Sequence, residues 1–131
     1  MKIAIVDFPG SNSSAEVEGL FKRLGQETVR LAYRSESLEG ANAVIIPGGF
    51  SFGDYLRPGA LAKGTPVTGI IRRFAADGHP VMGIGNGFQI LCELGILPGC
   101  LLQNPDMKFC NKEVYTKVES NQCPFTKNIP E

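Results

Sequence analysis

The sequence has no tryptophan, a single histidine and no excess of charge: 13 Lys and Arg balance 13 Asp and Glu over 131 residues. A formal net charge of zero and a pI near 6.6 supply no field that would draw in a phosphate backbone or an anionic lipid surface, which sets nucleic-acid and membrane-surface roles aside. Long apolar runs are also missing. Nothing approaches the roughly 18 residues needed to span a bilayer, and Asp7 interrupts Ile3 to Val6, the one N-terminal stretch that could imitate a signal segment. A cytoplasmic location is expected. The four cysteines, Cys92, Cys100, Cys110 and Cys123, form no CxxC pair, so neither a zinc site nor a disulfide framework is indicated, and all four are read as reduced. No residues suggest a metal site.

What the sequence does have is glycine, 16 residues, and proline, 9, alongside 43% hydrophobic residues. That is enough for a real core in one domain over 1–131, cut by many tight turns. In the N-terminal half, short apolar runs end in Gly-rich turns and lead into segments of helical period, an alternation that predicts an α/β fold with an open, mostly parallel sheet and helices on both faces. Strands are expected at Lys2 to Asp7, Thr28 to Tyr33, Ala43 to Ile46 and Pro80 to Ile84, the last two buried. Helices are expected at Ser14 to Leu24, with Val17, Leu20, Phe21 and Leu24 on one face, at Val67 to Asp77, with Ile70, Ile71 and Phe74 inward, and at Phe88 to Leu94, with Ile90, Leu91 and Leu94 on the sheet. Ser13 or Ser14 can cap the first helix and Gly25 can end it. Residues 47–66, with five glycines and three prolines, form a long functional loop or lid. From Lys108 onward the pattern is mixed and strand-like, and no closing element follows, so the fold is expected to lack its C-terminal part.

Chemistry is expected at Gly83-Ile84-Gly85-Asn86-Gly87. A strand that enters a helix through small-x-nucleophile-x-small makes a strained turn and exposes the middle side chain at the strand's carboxyl end. Here the middle residue is Gly85, so the geometry of a nucleophile site comes without its nucleophile. A second Gly-rich turn, Pro47-Gly48-Gly49-Phe50, follows the neighbouring strand and could supply backbone N–H groups for an oxyanion hole. Both segments could equally be plain strand-to-helix turns, since glycine there has a purely steric use.

IPGGFSFGDYLRPGALA at 46–62, PVMGIGNGFQILCELGILPG at 80–99, MKFCNKEV at 107–114 and FPGSN at 8–12 together resemble the glutaminase subunits of phosphoribosylformylglycinamidine synthases, a family of class I glutamine amidotransferases. The resemblance runs from Met1 to about Thr126. It implies a flavodoxin-like domain that hydrolyses glutamine through a Cys-His-Glu triad and supplies ammonia for de novo purine biosynthesis. The family's nucleophile falls on Gly85, and its His and Glu fall on no residue here. The matching positions that remain are Gly48, Gly49 and the backbone of Asn86 as oxyanion hole, and Gln89 toward glutamine; Phe50 and Phe52 could line the glutamine pocket or an interface with the synthetase subunit, or could equally be local packing. Ser13 and Pro58 stand where similar proteins often carry cysteine. The resemblance also implies a synthetase subunit as partner, with a small accessory subunit. It places ATP and Mg²⁺ on the synthetase and no cofactor on this chain. Cys92 lies two helical turns past Gly85, and His79 lies at the opposite end of the strand, so neither replaces the triad. The rival reading is a noncatalytic amidotransferase-like module that docks on the synthetase. A phosphate-loop role for Pro9 to Ser14 is disfavoured because the segment lacks the P-loop lysine.

Overall fold

A computed structural model describes residues 1–129. The chain divides into two units, Met1–Leu101 and Leu102–Glu131. The first holds four strands and three α-helices, in the order β1 (Lys2–Asp7), α1 (Ser14–Arg23), β2 (Glu27–Ala32), β3 (Ala43–Ile46), α2 (Pro66–Ala76), β4 (Val81–Gly83) and α3 (Asn86–Glu93), with two 3-10 turns, Ser51–Asp54 and Leu61–Gly64, between β3 and α2. The strands form one sheet in the order β2-β1-β3-β4, and every pairing is parallel. The expected α/β architecture is therefore present.

Period-2 alternation divides the core. Ala4, Val6, Val44 and Ile46 point to one face, where Ile71 of α2 and Ile90 and Leu91 of α3 cover them. Ile3, Ile5, Ala43 and Ile45 point to the other, where Val17 and Phe21 of α1 pack. β1 and β3 are buried on both faces, as central parallel strands are. β4 is shorter than the Pro80 to Ile84 expected and only half-buried, because it is hydrogen-bonded to β3 alone.

All three helices stop in the same way. Gly25, Gly78 and Gly95 each follow the cap residue with φ between +67° and +84°. Each donates its N–H to a carbonyl of the last turn, and the next residue's N–H reaches one carbonyl further back, which is the Schellman arrangement. The first helix departs from expectation in two respects. Leu20 and Leu24 are 46% and 61% exposed, so its apolar stripe is narrower than the sequence period suggests. Neither serine caps it with its side chain: Ser14 Oγ donates to the Asp7 carboxylate, and Ser13 Oγ turns to Gly48.

The second unit holds no helix or strand among its described residues, which corrects the strand-like reading from Lys108. Val114 is exposed and Val118 only half-buried, and neither lies in a strand.

Truncating the buried Ile90 to Ala is expected to cost about 2–5 kcal/mol of unfolding free energy. Leu24→Ala, on the exposed side of α1, is expected to stay within about 0.5 kcal/mol. Urea denaturation of the two variants checks the assignment of faces.

Candidate functional site

β1 and β3 lie side by side while the chain leaves them toward opposite edges of the sheet, and crevices at such switch points are where parallel sheets place their ligands. Three loops meet at that end: 8–13 after β1, 47–59 after β3, and the two-residue turn from β4 into α3.

That turn is an elbow. Gly85 has φ +55° and ψ −112°, a conformation that L side chains adopt only under strain. The glycines around it serve different purposes. A Cβ on Gly87 would lie 2.0 Å from the Ile46 carbonyl oxygen, and one on Gly83 would lie 2.5 Å from the Gly87 backbone, so α3 can start against β3 only because both lack side chains. A Cβ on Gly85 would meet nothing nearer than Gly48 Cα at 3.8 Å. The elbow thus has room for a side chain at its centre and none at its flanks.

The neighbouring turn is held from the other side. The Gly48 carbonyl accepts from the Asn12 N–H at 3.2 Å, the Ser13 N–H at 3.4 Å and Ser13 Oγ at 3.2 Å. Those donors lie on the β1 side. In a planar trans peptide the Gly49 N–H is therefore turned toward the β4 side, where the elbow lies. The N–H groups of Gly48, Gly49 and Asn86 make no hydrogen bond among the described residues. Gly49 and Gly10 back onto one another closely: a Cβ on Gly49 would lie 2.5 Å from Gly10 O, and one on Gly10 would lie 2.1 Å from Phe50 O.

Sequence reading assigned Asn86 a backbone role, and the structure adds a side-chain one that spacing could not reveal. Its buried amide accepts from the Ser51 N–H at 2.9 Å and donates to Asp54 Oδ1 at 3.0 Å and Gln89 Oε1 at 2.9 Å. The elbow helix is thereby hooked to the loop after β3. That loop has further anchors. Phe52 sets its ring edge-on to Tyr33 at 5.5 Å and Phe8 at 6.4 Å, and Arg57 makes a two-pronged ion pair with Glu93 at 2.5 and 2.8 Å. The anchors hold Phe52, Asp54 and Leu56 in left-handed conformations, each costing about 1–2 kcal/mol. Phe50, in contrast, is 59% exposed.

Neither alternative reactive group is close. His79 stacks on Phe74, preceding β4 at the amino end of the sheet. Cys92 lies two turns along α3, about 10 Å by helical rise, and burial together with the Glu93 carboxylate pushes its thiol up, away from the thiolate form. No group of three or more His, Cys, Asp or Glu side chains that could hold a metal ion occurs among the described residues.

Residues 1–129 match the CobB/CobQ-like glutamine amidotransferase domain, and the chain belongs to that family. Within it the chain is PurQ-like. It is 47% identical over 126 residues, 96% of its own length and 57% of the relative's, to phosphoribosylformylglycinamidine synthase subunit PurQ of Rubrobacter xylanophilus. It superposes with a TM-score of 0.74 and 40% identity on a chain of the solved PurLQS structure from Thermotoga maritima, covering 80% of this chain and 49% of that one. The chain thus spans about half the length of the relatives it matches. No helix among the described residues is long and apolar enough to cross a membrane.

Gly85→Ala is expected to fold, at a cost of about 1–3 kcal/mol for the strained backbone, whereas Gly87→Ala is expected to cost more because α3 must move off β3; thermal unfolding ranks them. The Arg57 guanidinium, chiefly by hydrogen bonding, holds Glu93 below its ordinary carboxylate range. The stability this confers is present above the unfolded-state value near 4.5 and is lost as pH falls through the lowered folded-state value. Glu93→Gln is therefore expected to flatten the acid limb of the stability profile measured by urea titration.

Proposed function

We propose that the chain belongs to a glutaminase subunit of phosphoribosylformylglycinamidine synthase, with its nucleophile position empty. The observation that carries this is the Gly85 elbow: a strained strand-to-helix turn, open where a side chain would stand, at the start of α3 and next to free backbone N–H groups. Family membership and the PurQ relative give the chemistry its class.

In that chemistry a thiolate at the elbow attacks the side-chain amide carbon of glutamine, and the oxyanion that forms needs donors of the kind offered by Gly48, Gly49 and Asn86. Ammonia leaves, and water then releases glutamate from the thioester. Gln89, and Phe50 from the loop, would contact glutamine, and the ammonia would pass to a synthetase subunit that carries the ATP and Mg²⁺ chemistry, with a small accessory subunit completing the assembly. This chain itself takes no cofactor, and residues 1–131 act as one amidotransferase domain.

Glycine at position 85 supports a second reading, in which the domain docks on the synthetase without hydrolysing glutamine. One assay separates the two. The chain as it stands, mixed with a synthetase partner, is expected to release no glutamate, since loss of a nucleophile removes nearly all turnover. Gly85→Cys in the 131-residue chain is also expected to release none, because no histidine stands within reach to protonate the leaving amine. In a longer chain that carries the family's histidine segment, the same substitution is expected to restore turnover on the order of 1 s⁻¹ or faster. Failure in that longer chain would favour the docking module.

A further inference from the structure

The amide of Gln89 has two chemically different ends, and whichever faces the elbow decides what a ligand must bring there. Gln89 lies four residues after Gly85, and its backbone N–H donates to the Gly85 carbonyl at 3.3 Å. A helical side chain leans toward the helix N-terminus, so Gln89 covers the elbow end of α3.

Its orientation is set by hydrogen bonds that begin on the backbone. The Ser51 N–H can only donate, so the Asn86 atom facing it at 2.9 Å must be the oxygen. Nδ2 then carries the two remaining hydrogens of the amide. One goes to the Asp54 carboxylate at 3.0 Å and the other to Gln89 at 2.9 Å. The Gln89 atom that receives it is Oε1, which leaves Nε2 as the free end, with no partner among the described residues. Turning Gln89 over would set two donors against each other and leave an N–H of the buried Asn86 unpaired.

We propose that Asn86 is a positioning residue that fixes Gln89 with its NH₂ end free for a ligand, so that the site offers a donor and selects a ligand group bearing an acceptor oxygen, such as the carboxylate of an amino acid. The choice of ligand rests on the glutamine reading above, whereas the orientation of Gln89 does not.

Side-chain amide exchange, followed by NMR on the intact chain, reads the orientation directly. The Asn86 Nδ2 hydrogens are expected to be protected and those of Gln89 Nε2 to exchange freely. In Asn86→Asp the new carboxylate can only accept, so Gln89 is expected to turn and its Nε2 hydrogens to become protected. Gln89→Glu leaves the Asn86 bonds to Ser51 and Asp54 in place while replacing the free donor with an acceptor, and so tests the same point should Asn86→Asp disturb the loop. Titration with L-glutamine is expected to give at least about tenfold weaker binding for Gln89→Glu, the loss of roughly one hydrogen bond to a charged group. Protected Gln89 hydrogens in the unsubstituted chain, or unchanged glutamine binding by Gln89→Glu, would overturn the proposal. Absence of glutamine binding by the unsubstituted chain would instead count against the glutamine reading, and the exchange data would then decide the orientation alone.

Discussion

The site depends on how closely α3 approaches the end of β3. Gly87 lies against the Ile46 carbonyl, and Gly83 lies under the Gly87 backbone, with no space for a methyl group at either. This contact gives the chain no room to leave β4 by a relaxed turn, and Gly85, midway between the two glycines, takes up the strain. Everything useful about the elbow follows from that one steric constraint. The central position faces open space, the Asn86 N–H that opens α3 makes no hydrogen bond among the described residues, and Gln89 comes to lie one turn beyond the elbow on α3.

The loop after β3 shows the opposite way of storing strain. Its left-handed residues, Phe52, Asp54 and Leu56, have side chains and bear the steric cost that glycine avoids. They are held by an aromatic cluster at one end, an ion pair from Arg57 to α3 at the other and the Asn86 amide between them. Two of these three ties reach α3, so loop and elbow helix are mechanically one piece. The loop is tied to the elbow helix at both Asn86 and Glu93, and Phe50 is left as its exposed aromatic.

Much of this was legible in the sequence because it is local. The period-2 run at Ile3 to Val6, the four apolar residues of β3 and the Gly-x-Gly-x-Gly turn each announce an element over a few residues. The narrow stripe of α1 was not legible, because whether Leu20 and Leu24 find anything to cover depends on the position of the sheet edge. The side-chain roles of Asn86 and of Arg57 with Glu93 were hidden for a related reason. Their partners lie 32 to 36 residues away along the chain, and no periodicity reports such a pairing. The apolar residues after Lys108 misled for a third reason: strand-like composition makes a strand only where a neighbour offers backbone hydrogen bonds.

If Gly85 stands at a nucleophile position without its nucleophile, a thiol placed there should be unusually reactive. Gly85→Cys, treated briefly with iodoacetamide near neutral pH and mapped peptide by peptide, puts the introduced thiol in competition with the exposed Cys100, Cys110 and Cys123 and with Cys92 inside the same chain. A thiol at a helix N-terminus has a lowered pKa and more thiolate at that pH. Position 85 is expected to be alkylated first and Cys92 last. Alkylation at position 85 no faster than at the three exposed cysteines would contradict it, because the turn would then be a steric device for joining β4 to α3 and nothing more.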